Sequence, residues 1–422
     1  MELTKTINAK GYKKTEVGLI PEDWKVSTLD EVTTLMTNGF VGTATTEYTE
    51  ENDGVLYIQG YNVEANSFNF NGIKRVNQNF HKKHLKSCLN EGDLLTVQTG
   101  DVGLTTIVSK ELEGSNCHAL IISRFKLTKV YPWFYTQYFN SFIGRNRLKE
   151  LEIGTTMKHL NVGDMKNWQI PIPPLSEQKA IATALSDVDA LLLSLDKQIA
   201  KKKAIKQGAM QELLTIDKFW IKKSLLELAE NKKELFDDGD WIESEHITNK
   251  GIRLIQTGNI GVGRFIEKEN KKYISEDSFQ KLNCKKLEIG DVLICRLAEP
   301  AGRACIFPYI GERKVITSVD VTIFRPDNKK VNREFLNQIF STNDYFKLIS
   351  EKVGGTTHKR ISRGSLGQIS VFIPPLQEQK AIAQILSDMD LEIASLEAKR
   401  QKYVAIKQGM MQELLTGRTR LV

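Results

Sequence analysis

The chain has 422 residues, 41% of them hydrophobic and 26% charged, which fits two to four soluble globular domains and excludes disordered and fibrous proteins. Lys and Arg total 59 against 52 Asp and Glu, so the net charge of +7 permits a nucleic-acid partner without requiring one. No apolar run approaches the roughly 20 residues of a membrane span, the start MELTKTINAKGYKK has no apolar signal region, and the five cysteines include no Cys-x-x-Cys pair. A cytoplasmic protein with no membrane segment, disulfide scaffold or zinc ribbon is therefore expected.

In chain order, residues 1–170 read as mixed α/β. Val55–Ile58, Leu94–Val97 and Ala119–Ile122 have strand character, and a helix is predicted near Pro132–Arg147. Residues 171–215 follow as one long helix. Pro173-Pro174 marks its start, Glu177 falls in its first turn, and Ile181, Leu185, Val188, Leu192, Leu195 and Ile199 form a stripe of about 3.5-residue period. Residues 216–371 are again mixed α/β, with strands at Ile252–Ile255, Val292–Ile294 and Val321–Phe324 and a helix near Arg333–Ile349. Residues 372–422 return to a long helix carrying Ile382, Leu386, Met389, Ile393 and Leu396.

The two helical segments are copies. Pro173-Pro174-Leu175-Ser176-Glu177-Gln178-Lys179-Ala180-Ile181-Ala182 recurs 201 residues later from Pro374, and Lys206-Gln207-Gly208-Ala209-Met210-Gln211-Glu212-Leu213-Leu214-Thr215 recurs from Lys407. Between 173–215 and 374–416, 27 of 43 positions are identical. The repeat extends upstream more weakly: Gly154-Thr155-Thr156 with Gly355-Thr356-Thr357, Gly92-Asp93 with Gly290-Asp291, Ile58-Gln59 and Asn62 with Ile255-Gln256 and Asn259, and Trp24 with Trp220. Two near-identical segments imply one task done twice; two divergent segments on one scaffold imply related tasks on different targets.

Each helix is expected to run about 40 residues, roughly 60 Å. The two are expected to pair antiparallel, with Leu185, Leu192, Leu195, Leu386, Ile393 and Leu396 in the seam and a pseudo-two-fold relation between the halves. Asp187, Asp189, Asp388 and Asp390 read as a solvated face or a partner surface. The basic run Lys197, Lys201, Lys202, Lys203 and Lys206 reads as a solvated face. Gly208 and Gly409 mark either a bend or a close helix approach.

Catalytic signatures are missing. There is no Gly-x-x-x-x-Gly-Lys-[Ser/Thr] loop, Gly258, Gly261 and Gly263 lack dinucleotide spacing, and Pro-Pro is followed by Leu rather than Phe or Tyr. His81-x-x-His84 is flanked by lysines that oppose a cation, Cys117-His118 lacks a placed third residue, and Pro326-Asp327 lacks an acidic partner. No catalytic and no metal-ligating residue is assigned, which favours a binding protein over an enzyme.

The Pro-Pro-Leu-x-Glu-Gln-Lys-Ala-Ile-Ala start, the Leu-Ser-Asp-x-Asp that follows, and Lys-Gln-Gly-x-Met-Gln-Glu-Leu-Leu-Thr resemble the conserved region of the specificity (HsdS) subunit of type I restriction-modification systems. Gly18-Leu19-Ile20-Pro21-Glu22-Asp23-Trp24 is similar to the entry of its first target recognition domain; Asp217-Lys218-Phe219-Trp220 keeps the Trp without the Ile-Pro-Glu lead. The resemblance implies an α/β chain with target recognition domains at 1–170 and 216–371 and conserved helices at 171–215 and 372–422. It implies a non-catalytic subunit reading a bipartite double-stranded DNA site, the helix pair setting the separation of the halves. Two methyltransferase subunits and restriction subunits would be its partners. No cofactor belongs to this chain, since S-adenosylmethionine would sit in the methyltransferase partners. A related system with a fused modification-restriction polypeptide is the alternative.

On that reading, Thr155, Thr156, Lys158, His159, Thr356, Thr357, Lys359 and Arg360 of the Gly-Thr-Thr loops are assigned to DNA phosphates, because hydroxyls, free N–H groups and cations suit them and both copies are alike. Gln59, Asn62, Gln256, Asn259 and Arg296 are the candidates for base contacts.

Overall fold

The computed structural model describes residues 11–51, 53–154, 158–297, 300–354 and 359–421. The chain forms two compact units: Met1–Asp196 with Ala398–Val422, and Lys197–Glu397. They cut across the chain-order segments, because each unit takes part of both long helices, Leu175–Leu213 and Leu376–Leu414.

Unit 1 is layered around a four-stranded antiparallel sheet in the order Thr105–Ile107, Leu94–Val97, Leu120–Phe125, Thr33–Asn38. Strand alternation sends Leu94, Ile121 and Phe125 to a core shared with helices and Leu95, Val97, Leu120 and Ile122 to a second core on the other face. A smaller sheet of Asn116–Cys117, Val55–Ile58 and Lys74–Val76 adjoins it. Unit 2 repeats the plan: Ala304–Ile306, Val292–Cys295, Val321–Phe324 and Phe236–Asp238 form the central sheet. Val292 and Ile294 face the helices, and Leu293 and Cys295 face the far core.

The helix predicted over Pro132–Arg147 is two, Pro132–Asn140 and Phe142–Glu150. The Ser141 hydroxyl caps the second by accepting from the Gly144 N–H at 3.0 Å. A Cβ on Gly144 would lie 2.0 Å from the Tyr138 carbonyl oxygen, so the sharp junction requires glycine. In unit 2, Thr342 caps Asn343–Ser350 and splits the predicted Arg333–Ile349 helix in the same way.

Within each unit the two long-helix segments run antiparallel. Asp189 meets Lys407 and Asp196 meets Arg400 in unit 1, both at 2.5 Å; Asp390 meets Lys206 and Glu392 meets Lys202 in unit 2, both at 2.6 Å. Of the predicted seam, Leu185, Leu195, Leu386 and Ile393 are buried, and Leu192 and Leu396 are half-buried. Leu185 lies in the unit 1 core with Leu414 and Leu415, and Leu386 lies in the unit 2 core beside Met210, Leu213 and Leu214. These two therefore bind helix to domain as well as helix to helix. Gly208 and Gly409 sit within unbroken helix, and a Cβ at either would meet open space, so neither marks a bend or a close approach.

The repeated motif residues are joints. The Trp24 indole N–H donates to Glu177 at 2.9 Å, and that of Trp220 donates to Glu378 at 3.0 Å. The Gln178 amide N–H₂ donates to the Pro173 carbonyl while its oxygen accepts from Tyr131 N–H; Gln379 does the same with Pro374 and Asn332. Asp189, half-buried, and Asp390, exposed, accept from Gln137 and Gln338 of their own units and pair with the Lys of the Lys-Gln-Gly motif. Asp187 and Asp388 are exposed. Three of the basic run, Lys202, Lys203 and Lys206, pair with Glu392, Glu397 and Asp390.

Candidate nucleic-acid interface

In unit 1, several strand ends open onto one edge. Gly39 N–H donates to the Leu120 carbonyl and Phe40 N–H to that of Cys117, while His118 N–H donates to that of Ile58, all at 2.8 Å. Leu160 N–H donates to Gln98, and His159 bridges to Thr99 and Ile153. Loops around 39–42, 59–62, 98–103 and 118–119 and residues 158–160 therefore meet. Unit 2 repeats the pattern: Gly239 to Val321 and Asp240 to Thr317 at 2.9 Å, Ser318 to Ile255 at 3.2 Å, and Ile361 to Arg296 at 3.0 Å. Gly39 and Gly239 make the crossing possible. A Cβ on Gly39 would be 2.6 Å from the Cys117 carbonyl oxygen, and one on Gly239 would be 2.4 Å from those of Thr317 and Ser318.

The repeated Ile-Gln-x-x-Asn sequence is a staple. Asn62 Oδ1 accepts from Gln59 N–H at 3.0 Å, and its Nδ2 donates to the Asn69 carbonyl at 2.8 Å. Asn259 accepts from Gln256 N–H at 3.0 Å and donates to Ile266 at 2.9 Å. Both asparagines are buried, so their amides are consumed in holding the loop. The assignment of Asn62 and Asn259 to base contact is thereby corrected. Gln59 is half-buried with its amide on the Tyr61 hydroxyl at 3.2 Å, and Gln256 is exposed. Between each Gln and Asn the copies differ: Tyr61, 52% exposed, stands where unit 2 has Gly258 beneath the Lys268 ammonium.

Arg296 is also corrected. It is 3% exposed, and its guanidinium donates to Ile361 and Val319 carbonyls and to Asp238 at 3.0 Å. It ties the loops together from beneath, as does Arg303, which donates to the carbonyls of Thr257, Ile260, Leu297 and Pro300. Sequence alone offers Arg296 as a candidate for base contact; its burial depends on segments that come together from far along the chain.

Of the Gly-Thr-Thr loops, Thr155, Thr156, Thr356 and Thr357 lie outside the described residues. Lys158 is exposed and pairs with Glu152 at 3.1 Å. Lys359 is exposed, and Arg360 pairs with Asp320 at 2.9 Å while its backbone bridges to Gly354 and Leu297. His159 holds its place by backbone bonds to Ile153. The described parts of both loops therefore lie at the loop edge of their own unit.

The weaker sequence hints resolve into structure. His81 Nδ1 bonds to Asn116 at 2.5 Å, and His84 packs on Phe40 and Phe80. Cys117 is buried and burial pushes its thiol well up, away from the reactive thiolate. His118 bonds to the Tyr57 hydroxyl at 2.9 Å, and burial lowers its pKa. Two residues escaped sequence reading: Val41 and Trp241, 67% and 68% exposed, each two positions past the crossing glycine. Their signal was an apolar residue after a turn glycine, too common to notice alone. Among the described residues, no helix is long and apolar enough to cross a membrane.

The family model of the type I restriction modification DNA specificity domain matches residues 21–207 and 209–405. The chain is 27% identical to the type I restriction enzyme MjaVIII specificity subunit of Methanocaldococcus jannaschii, over 79% of this chain and 80% of that one. It is 22% identical to the EcoKI specificity subunit of Escherichia coli K12, over 94% and 89%. Among solved structures, the S subunit of a type I restriction-modification system from M. genitalium aligns with a TM-score of 0.60 at 16% identity, covering 98% of each chain. With two consecutive matches spanning nearly its whole length, the chain belongs to the type I restriction-modification specificity subunit family.

Proposed function

We propose that each unit reads one half of a bipartite double-stranded DNA site through its edge loops, and that the chain delivers this recognition to methyltransferase and restriction subunits without catalysing a reaction itself. S-adenosylmethionine would belong to the methyltransferase partners, where a target adenine must leave the base stack to react. One observation carries the reading: the same backbone frame recurs at the loop edge of both units, while the side chains it presents differ. Fixed frames with variable tips suit two different half-sequences. The lysines of the Gly-Thr-Thr loops, alike in both copies, are assigned to phosphates, which carry no sequence information.

The test is competition binding by the chain assembled with its methyltransferase subunits. A duplex carrying the methylated sequence found in the host should outcompete a scrambled duplex by about 10³-fold or more. Equal competition by both would overturn the reading.

A further inference from the structure

Trp241 is 68% exposed, although an indole is among the side chains that gain most from burial. Its neighbours explain why it cannot turn inward. Gly239 is locked under the Thr317 and Ser318 carbonyls. Asp240 is fixed by its N–H to Thr317 and by its carboxylate, which accepts from Lys285 N–H at 2.7 Å and meets the Lys285 ammonium at 2.9 Å. Ile242 then packs with the satellite core of Ile247, Phe279 and Leu282. The chain is anchored on both sides of position 241, and the side chain between the anchors is turned to solvent. The indole N–H reaches Glu243 at 3.3 Å, and the exposed ring offers a surface to a flat partner.

Unit 1 has the same construction with a different tip. Gly39 is locked under Cys117, Phe40 N–H bonds to the Cys117 carbonyl, and Val41 projects at 67% exposure. A hollow of about 400 Å³ beside Val41 is lined by Phe40, Lys83, His84 and Lys86. Single exposed apolar residues are ordinary. An exposed apolar tip at the same place in two repeats, next to the loops assigned to DNA and in unit 1 beside Lys83 and Lys86, calls for an apolar surface on the ligand. Bases supply it, as π-faces or as thymine methyl groups.

We propose that Trp241 stacks on a base step of the half-site read by unit 2, and that Val41 makes only an aliphatic contact at the matching place in unit 1. This rests on the DNA-reading function proposed above. It predicts unequal distortion: a planar wedge partly unstacks the step it enters, whereas a valine does not.

The test uses the complete complex with its methyltransferase subunits and cognate duplex. Trp241→Ala should weaken binding by about 10- to 100-fold, the range of a lost base–aromatic stack, with the thermal midpoint unchanged because the ring is exposed. Trp241→Phe should recover most of the affinity, and Val41→Ala should cost less than Trp241→Ala. In the wild type, DNA should protect the exposed part of tryptophan emission from acrylamide, and Trp241→Phe should abolish that protection. Trp241→Ala binding within two-fold of wild type, or weakened subunit assembly with unchanged DNA affinity, would overturn the proposal. If the wild-type complex showed no sequence preference, the DNA-reading function itself would fail, which is a separable result.

Discussion

In unit 1 the buried carboxylate of Glu177 is met by Arg420 at 2.6 and 2.8 Å, and the same guanidinium holds Asp23 at 2.7 and 2.9 Å. In unit 2 the counterpart Glu378 is exposed and accepts from the Trp220 indole. Unit 1 also carries a hairpin, Tyr12–Thr15 with Gly18–Pro21, whose Tyr12 hydroxyl donates to the Gly417 carbonyl at 2.9 Å and whose Ile20 joins the core. Unit 2 has instead a groove of about 820 Å³ bordered by Met210, Leu214, Trp220, Ile339, Tyr345 and Phe372. The missing Ile-Pro-Glu lead before Trp220 is the sequence trace of this difference. One joint thus works in two settings, sealed by ions in unit 1 and left open in unit 2.

The largest expected effect follows from that contrast. Arg420→Ala leaves Glu177 buried without its cation and should cost unit 1 about 3–5 kcal/mol. Glu378→Ala removes the exposed acceptor of the Trp220 indole N–H and should cost unit 2 about 1 kcal/mol. Hydrogen exchange resolved by peptide measures each unit separately; equal losses would mean that burial of the Glu177 carboxylate is not what distinguishes them.

Where the units agree, equal losses are expected. Asp93 takes Arg124 in a two-point pair at 2.7 Å and accepts from Asn90 N–H, and Asp291 takes Arg325 at 2.7 and 2.8 Å and accepts from Glu288 N–H. Both aspartates are buried, so Asp93→Ala and Asp291→Ala should each cost about 3 kcal/mol in their own unit. A loss in one and not the other would break the claim of a common frame.

Much of this frame was legible in the sequence. Strands Val55–Ile58, Leu94–Val97 and Ile252–Ile255 fall where their apolar runs placed them, and Trp24, Trp220, Gly92-Asp93 and Ile-Gln-x-x-Asn stood out because they recur. What recurrence could not tell was direction. Asn62 and Asn259 repeat because they bond inward, and Arg296 looks like any loop cation until the Phe236–Asp238 strand and the turn at Val319 close over it. Repetition marks frame, and on the function proposed above the readers would include positions inside it that do not repeat.

A smaller effect concerns pH. Burial lowers the His118 pKa below its ordinary 6.5, so as pH falls through 6.5 the unfolded chain takes up the proton first. Unit 1 should lose stability from that point down toward the folded value. Unit 2 has Ser318 in the matching bridge and should show no such term. Unfolding of His118→Asn followed between pH 7.5 and 5.5 should lose the dependence on this group; an unchanged slope would contradict it.

The smallest change in specificity is expected from Lys158→Ala with Lys359→Ala. Binding to all duplexes should weaken together, and the salt slope should fall by about 0.9 per lost phosphate contact. A changed methylated sequence with an unaltered slope would remove these lysines from the phosphate role.

The most direct measurement is the methylated sequence of the host genome, mapped base by base, for the native chain and for Tyr61→Gly with Gln59→Ala. These changes alter tips of the unit 1 loop and leave the Asn62 staple in place. If each unit reads its own half-site, one half of the methylated sequence should relax or change while the other half stays as it was. A change in both halves, or the native sequence retained in full, would contradict the division of reading between the two units.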